Sequence, residues 1–161
     1  MALIPISISI GILCGLWFHF TVLIPWFIAW VGFVAWASFY YAGGNEAALS
    51  KSMFANIAGM LQGALFFWVW TSFGSGNMIF LSLLIALFCF VMTIEGNIPI
   101  LSAIPGQFLG AAAYFGNLGA HNGEIWLTLL NTLICMVIGN LAGLLSAKLP
   151  ELIRKKEVAQ E

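Results

Sequence analysis

No Asp, Glu, Lys or Arg occurs in residues 1–45, nor in residues 52–94. A helix crosses the hydrocarbon core of a bilayer in about 20 residues, and there every backbone group must be paired within the protein. The first stretch has room for two crossings and the second for two more. Residues 96–123, between Glu95 and Glu124, hold a fifth. Residues 125–147, before Lys148, hold a sixth. A soluble domain carries roughly 25% charged residues; this chain carries 7%, with five Lys or Arg, six Glu and no Asp. That is too little charge to cover a soluble monomer. Intrinsic disorder is excluded by an apolar content of 62%. Three Cys are too few for a disulfide scaffold, and no basic patch suits nucleic acid. The partner that this composition demands is a lipid bilayer.

Breakers set the predicted limits. The spans run over 2–21, 25–42, 50–71, 78–93, 99–115 and 125–147, separated by turns such as Gly43-Gly44-Asn45 and Gly74-Ser75-Gly76-Asn77. The long, non-alternating apolar runs argue against a β-barrel. The expected class is therefore all-α, a single six-span membrane domain over 1–149 with a charged tail over 150–161. Lys51, Lys148, Arg154, Lys155 and Lys156 all fall on one side of this arrangement. By the positive-inside rule that side is cytoplasmic, as are both termini. The start, Met1-Ala2-Leu3-Ile4-Pro5, lacks the positive region of a cleaved signal. Trp17, Trp26, Trp30 and Trp126 gather towards the other side and are expected to form an aromatic belt.

The chain also repeats. Pro25, Ala29, Gly32, Ala37 and Tyr40 recur as Pro99, Ala103, Gly106, Ala111 and Tyr114 at an offset of 74. Asn56 and Gly59 recur as Asn140 and Gly143 at an offset of 84, and Ser7, Ile10 and Cys14 as Ser82, Ile85 and Cys89 at 75. The halves are about 1–75 and 76–149, three spans each. An odd number of spans per half makes the second half enter from the opposite face. The expectation is a 3+3 inverted-topology repeat, a design that places a solute path near the midplane where the halves meet.

Few residues can serve such a path. Asn56 and Asn140 lie within spans, where an amide without a hydrogen bond costs several kcal/mol, so each must face protein or a polar cavity. Pro105-Gly106 falls within the fifth span and predicts a kink or break that exposes carbonyls. Gln107 beside it can add amide groups. Tyr40 and Tyr114 are the repeat-related aromatic candidates. Glu95, at the entry to the fifth span, reads as a loop charge, a vestibule carboxylate or a proton-coupling group. His19 and His121 fall near the outer surface as interfacial or loop residues. Cys14, Cys89 and Cys135 read as small packing residues. Four GxxxG pairs, at Gly11/Gly15, Gly59/Gly63, Gly106/Gly110 and Gly139/Gly143, permit close helix packing. No metal or cofactor motif is present, and no hydrolase or nucleotide fingerprint. An enzyme is not expected.

Two stretches, Phe33-Val34-Ala35-Trp36-Ala37-Ser38-Phe39-Tyr40-Tyr41-Ala42-Gly43-Gly44 and Leu101-Ser102-Ala103-Ile104-Pro105-Gly106-Gln107-Phe108-Leu109-Gly110, resemble the bacterial inner-membrane family of YahC and YcdZ, a domain of unknown function. The resemblance covers nearly the whole chain. Asn56 with Gly59 and Asn140 with Gly143 fit its pattern, and Glu95 departs from it, since the resemblance implies an amide there. It implies a bacterial inner membrane and brings no activity. The residues themselves point to a channel or facilitator for a small polar, neutral solute. A proton- or sodium-coupled transporter using Glu95 and a non-transporting scaffold are the alternatives. A homo-oligomer with one path per subunit is expected, because small bundles often assemble symmetrically.

Overall fold

The computed structural model describes residues 3–158, with side chains described to Glu151. These residues are helical throughout, apart from turns and linkers. The six helices are α1 (Ile4–Leu23), α2 (Ala29–Tyr41), α3 (Glu46–Phe73), α4 (Met78–Ile94), α5 (Ile104–Leu118) and α6 (Ile125–Val158). Local chemistry explains several ends. Asn45 caps α3, its Oδ1 accepting from Ala48 N at 2.9 Å, and Asn77 caps α4 through Ile79 N and Phe80 N. Gly43 and Gly44 turn the chain into α3 with φ of 125° and 64°. α6 continues through Pro150 to Val158, so residues 150–158 of the expected tail extend that helix, and the rest of it lies outside the described residues.

Four elements are long and apolar enough to cross a bilayer: α1, α3, α6 up to Glu151, and α4 with the 3-10 turn that prolongs it to Asn97. This identifies a membrane protein. It also corrects the expectation of six full-length spans. α2 has 13 residues and α5 has 15, or about 20 Å and 22 Å of helix, against a hydrocarbon core of about 30 Å. The fault lies at their N-termini. Residues 24–28 form an irregular linker before α2, and two 3-10 turns, Glu95–Asn97 and Pro99–Leu101, precede α5. Pro105 therefore sits in the first turn of α5 and starts that helix; it does not kink one already under way.

The core is built inside out relative to a soluble protein. Large apolar side chains such as Ile8, Ile12, Leu83, Leu87 and Phe90 are exposed on α1 and α4, where lipid covers them. The centre mixes small and polar residues with a few large ones, Phe39, Tyr114 and Met136 among them. α3 packs most closely on α5 and α2 on α6, with α3 and α6 also in contact. Glycine makes these crossings possible. A Cβ on Gly59 would lie 1.8 Å from the Gln107 carbonyl oxygen, one on Gly110 2.1 Å from that of Asn56, and one on Gly139 2.1 Å from that of Gly32. Three of the four GxxxG pairs thus serve helix contacts within the chain. Gly11 and Gly15 do not, since a Cβ there would meet nothing within 4 Å.

Trp17 leaves the expected aromatic belt. It is buried, and its indole donates to the Ala29 carbonyl at 2.9 Å. Trp17 lies six residues before the end of α1, about 9 Å along it, so this bond draws the start of α2 into the bundle. Trp126, at 81% exposure, keeps the character expected of a belt residue. The start of α3 is joined on the surface to α6 by an ion pair between Lys148 and Glu46, the one ion pair among the residues whose side chains are described.

Candidate functional site

Burying the first turn of a short helix leaves backbone groups that only the surrounding protein can satisfy. Several groups of buried polar side chains lie where the two short helices begin, and another, around Ser146, meets the end of α2 at Tyr40. Around the first turn of α5, Ala55 lies 3.0 Å from the Cβ position of Gly106. Ala55 is nine residues into α3, so α5 begins about 14 Å along that helix. Ser38 Oγ is 2.9 Å from the same Cβ position and Asn56 Oδ1 is 3.5 Å from it. Any side chain at residue 106 would displace these groups, and glycine admits them.

Ser52 links this cluster. Its hydroxyl lies 3.0 Å from Ser38 Oγ and 2.6 Å from Asn140 Oδ1, while Asn140 Nδ2 donates to the Met136 carbonyl at 3.0 Å. Three helices, α2, α3 and α6, thus meet through Ser38, Ser52, Asn56 and Asn140, all fully buried, and α5 joins them at Gly106. Asn140 is satisfied within the protein. Asn56 is not: neither its Nδ2 nor its Oδ1 has a hydrogen-bond partner.

A second group lies further along α3. Gln62 Nε2 donates to Glu95 Oε2 at 2.8 Å and stands 3.3 Å from Gln107 Oε1. Gln107 Nε2 in turn donates to the Leu101 carbonyl at 3.3 Å, which satisfies the linker before α5. Glu95 is partly buried. Gln62 is sixteen residues from the start of α3 and eleven from its end, about 24 Å and 16 Å along the axis. Its partner Glu95 is therefore held beside the middle stretch of a spanning helix.

The third group serves the other short helix. Asn117 on α5 donates to Asn131 Oδ1 at 2.8 Å and to Thr132 Oγ1 at 2.9 Å on α6. Asn131 Nδ2 donates to the Trp26 carbonyl, in the linker before α2. Ile28 N, in the same linker, donates to Cys135 Sγ at 3.4 Å. Tyr114 is fully buried nearby on α5, its hydroxyl without a partner. Tyr40 lies elsewhere: its hydroxyl pairs with Ser146 Oγ at 2.7 Å, and Trp36 Nε1 donates to that oxygen at 3.1 Å.

The structure therefore brings Asn56, Asn140 and Gly106 into one cluster, with Pro105 in the same helical turn. Gln107 and Glu95 join a second through Gln62, and Tyr40 and Tyr114 stand apart. Ser38, Ser52, Gln62, Asn117, Asn131 and Ser146 were not singled out from the sequence. A signal existed: Ser52, Asn56, Gly59 and Gly63 recur at steps of 4, 3 and 4, one face of α3. The cysteines are free thiols; Cys135 is buried and Cys14 and Cys89 partly so.

Residues 7–151 match the profile of a family described as "Protein of unknown function (DUF1097)". The chain belongs to this family. It is 31% identical over 164 aligned positions to the uncharacterized protein YahC of Escherichia coli (strain K12), with 94% of each chain covered. No solved structure matches it. The family description names no reaction or ligand, so a functional reading rests on the polar core just described.

Proposed function

We propose that this protein is a channel or facilitator for a small, polar, uncharged solute, with its path between two inverted three-helix halves. The observation that carries the reading is the pair of short helices, α2 and α5, that begin inside the bundle beside buried amides and hydroxyls. Irregular backbone at membrane depth is tolerated only against protein or a polar path. Exchanging α1, α2 and α3 with α4, α5 and α6 maps the closest pair, α3 on α5, onto the next closest, α6 on α2. Ile10, Cys14 and Ala37 line a groove of about 280 Å³ beside α1, and their counterparts Ile85, Cys89 and Ala111 line one of about 380 Å³ beside α4. Both pairings support the repeat.

In this reading Asn56, Asn140, Gly106 and Gln107 supply the polar groups that replace water around a solute. Lys51 and Lys148 face the cytoplasm of a bacterial inner membrane, and a homo-oligomer carries one path in each subunit. The test is osmotic swelling of proteoliposomes by stopped-flow light scattering with urea, glycerol and formamide. Swelling faster than in empty liposomes for at least one of them, without an ion gradient, is the expected result. Rates equal to empty liposomes for all three would remove the channel. Orientation is tested separately: a thiol reagent that cannot cross the membrane should label a cysteine at Asn122 from outside the cell and one at Ala47 only after permeabilisation.

A second reading is favoured by one feature, the Glu95 carboxylate held by Gln62. In it the protein couples transport to protons or sodium, and swelling or uptake would depend on the corresponding gradient.

A further inference from the structure

The cavity between α3, α4 and α5 has a volume of about 380 Å³. α4 contributes Leu81, Ile85, Phe88 and Met92 to its wall, at steps of 4, 3 and 4 along the helix. Three residues further on, the same face reaches Glu95. Phe66, Phe108 and Phe115 line the other walls and leave it open at the surface, with Phe66 edge-on to Phe88 at 5.4 Å and to Phe115 at 5.5 Å between ring centroids. One polar side chain lines the cavity, Gln62, and its amide holds the Glu95 carboxylate at 2.8 Å. Among the described residues no Lys, Arg or His forms an ion pair with Glu95.

We propose that this chamber binds a lipophilic monocation, with the apolar body among the phenylalanines and the cationic head against Glu95 at the Gln62 end. Charge complementarity selects that occupant. Glu95 is partly buried at the edge of the chamber, reached through Gln62, and among the described residues no cationic side chain pairs with it. An acyl chain or neutral hydrocarbon fills the apolar volume and leaves the carboxylate as it was. An anion is repelled by it. A cation neutralises it, and aromatic walls add cation–π attraction. The volume lies within the roughly 300–1,000 Å³ of small-molecule sites. This site lies on the α4 side of the bundle and does not depend on the polar path described above.

The test uses the full-length protein in nanodiscs of zwitterionic phosphatidylcholine, with empty discs subtracted. The probes are benzyltrimethylammonium and its uncharged isostere neopentylbenzene. Saturable binding of the cation, weakened about ten-fold or more by Glu95→Gln while neopentylbenzene is unchanged, is the expected result; a lost charge-assisted contact has that size. Cys89→Phe, which fills the chamber, should weaken both probes. Equal binding of the two by the wild-type protein would mean an apolar or lipid-chain pocket and overturns the proposal. So does undiminished cation binding by Glu95→Gln, or no saturable binding at all. If Glu95→Gln does not fold, the wild-type comparison of charged and uncharged probes decides alone.

Discussion

Gly59→Ala is expected to abolish accumulation of folded protein. Its new methyl group would sit 1.8 Å from the Gln107 carbonyl oxygen, with the Gln107 carbonyl carbon at 2.5 Å. These are backbone atoms of α5, so no side chain can swing aside. Relief requires α3 and α5 to separate by roughly 1.5 Å to reach ordinary contact. That separation would pull apart the closest helix pair in the bundle and stretch the Gln62 contact to Gln107. Overpacking costs about 1–3 kcal/mol where side chains can yield, and here the cost should exceed that range. Gly110→Ala meets the Asn56 carbonyl at 2.1 Å and should behave alike. Gly63→Ala, with its nearest neighbour at 3.3 Å, should be milder, and Gly11→Ala, with nothing within 4 Å, should be neutral. The measurement is the yield and melting temperature of monodisperse protein in a mild detergent. A Gly59→Ala variant as stable as Gly11→Ala would refute the close α3–α5 crossing.

This series also marks the limit of what the sequence made legible. GxxxG spacing identified four places where helices could approach, and only the fold distinguishes the three used within the chain from Gly11/Gly15. Class and helix number followed from charge spacing, because a charge within a lipid-facing helix is expensive wherever it falls. The turns at Gly43-Gly44 and the caps Asn45 and Asn77 were legible for local reasons. The start of α2 was not. Pro25-Trp26-Phe27-Ile28 is as apolar as the helix that follows, so hydropathy cannot separate linker from span. That linker is possible because Asn131, more than a hundred residues away, donates to the Trp26 carbonyl. Asn131 has no counterpart in the repeat and so drew no notice. Glu95 read most simply as a loop charge, because its partner Gln62 is reached only through the packing of α4 on α3. Asn56 and Asn140 were legible as a pair, but their difference was not: one is satisfied by its neighbours and the other is not.

That difference gives opposite stability effects in the two asparagines. Asn140→Leu removes the acceptor of the Ser52 hydroxyl and the donor to Met136, in a fully buried cluster. Stranding buried polar groups costs about 1–3 kcal/mol, so the melting temperature should fall. Asn56→Leu breaks no hydrogen bond within the protein and replaces a buried amide by an apolar side chain of similar size. Its stability should be unchanged or higher. If a solute passes the first turn of α5, its flux depends on the Asn56 amide, and losing one hydrogen bond there should slow passage roughly 5- to 150-fold. The proposed path thus predicts a variant that is at least as stable as the wild type and conducts poorly, a combination that helix packing alone does not produce. Swelling rates are normalised to folded protein in the liposomes, and Ser50→Leu, on the exposed face of α3, is the control. A stable Asn56→Leu protein that conducts as the wild type does would take Asn56 out of the path.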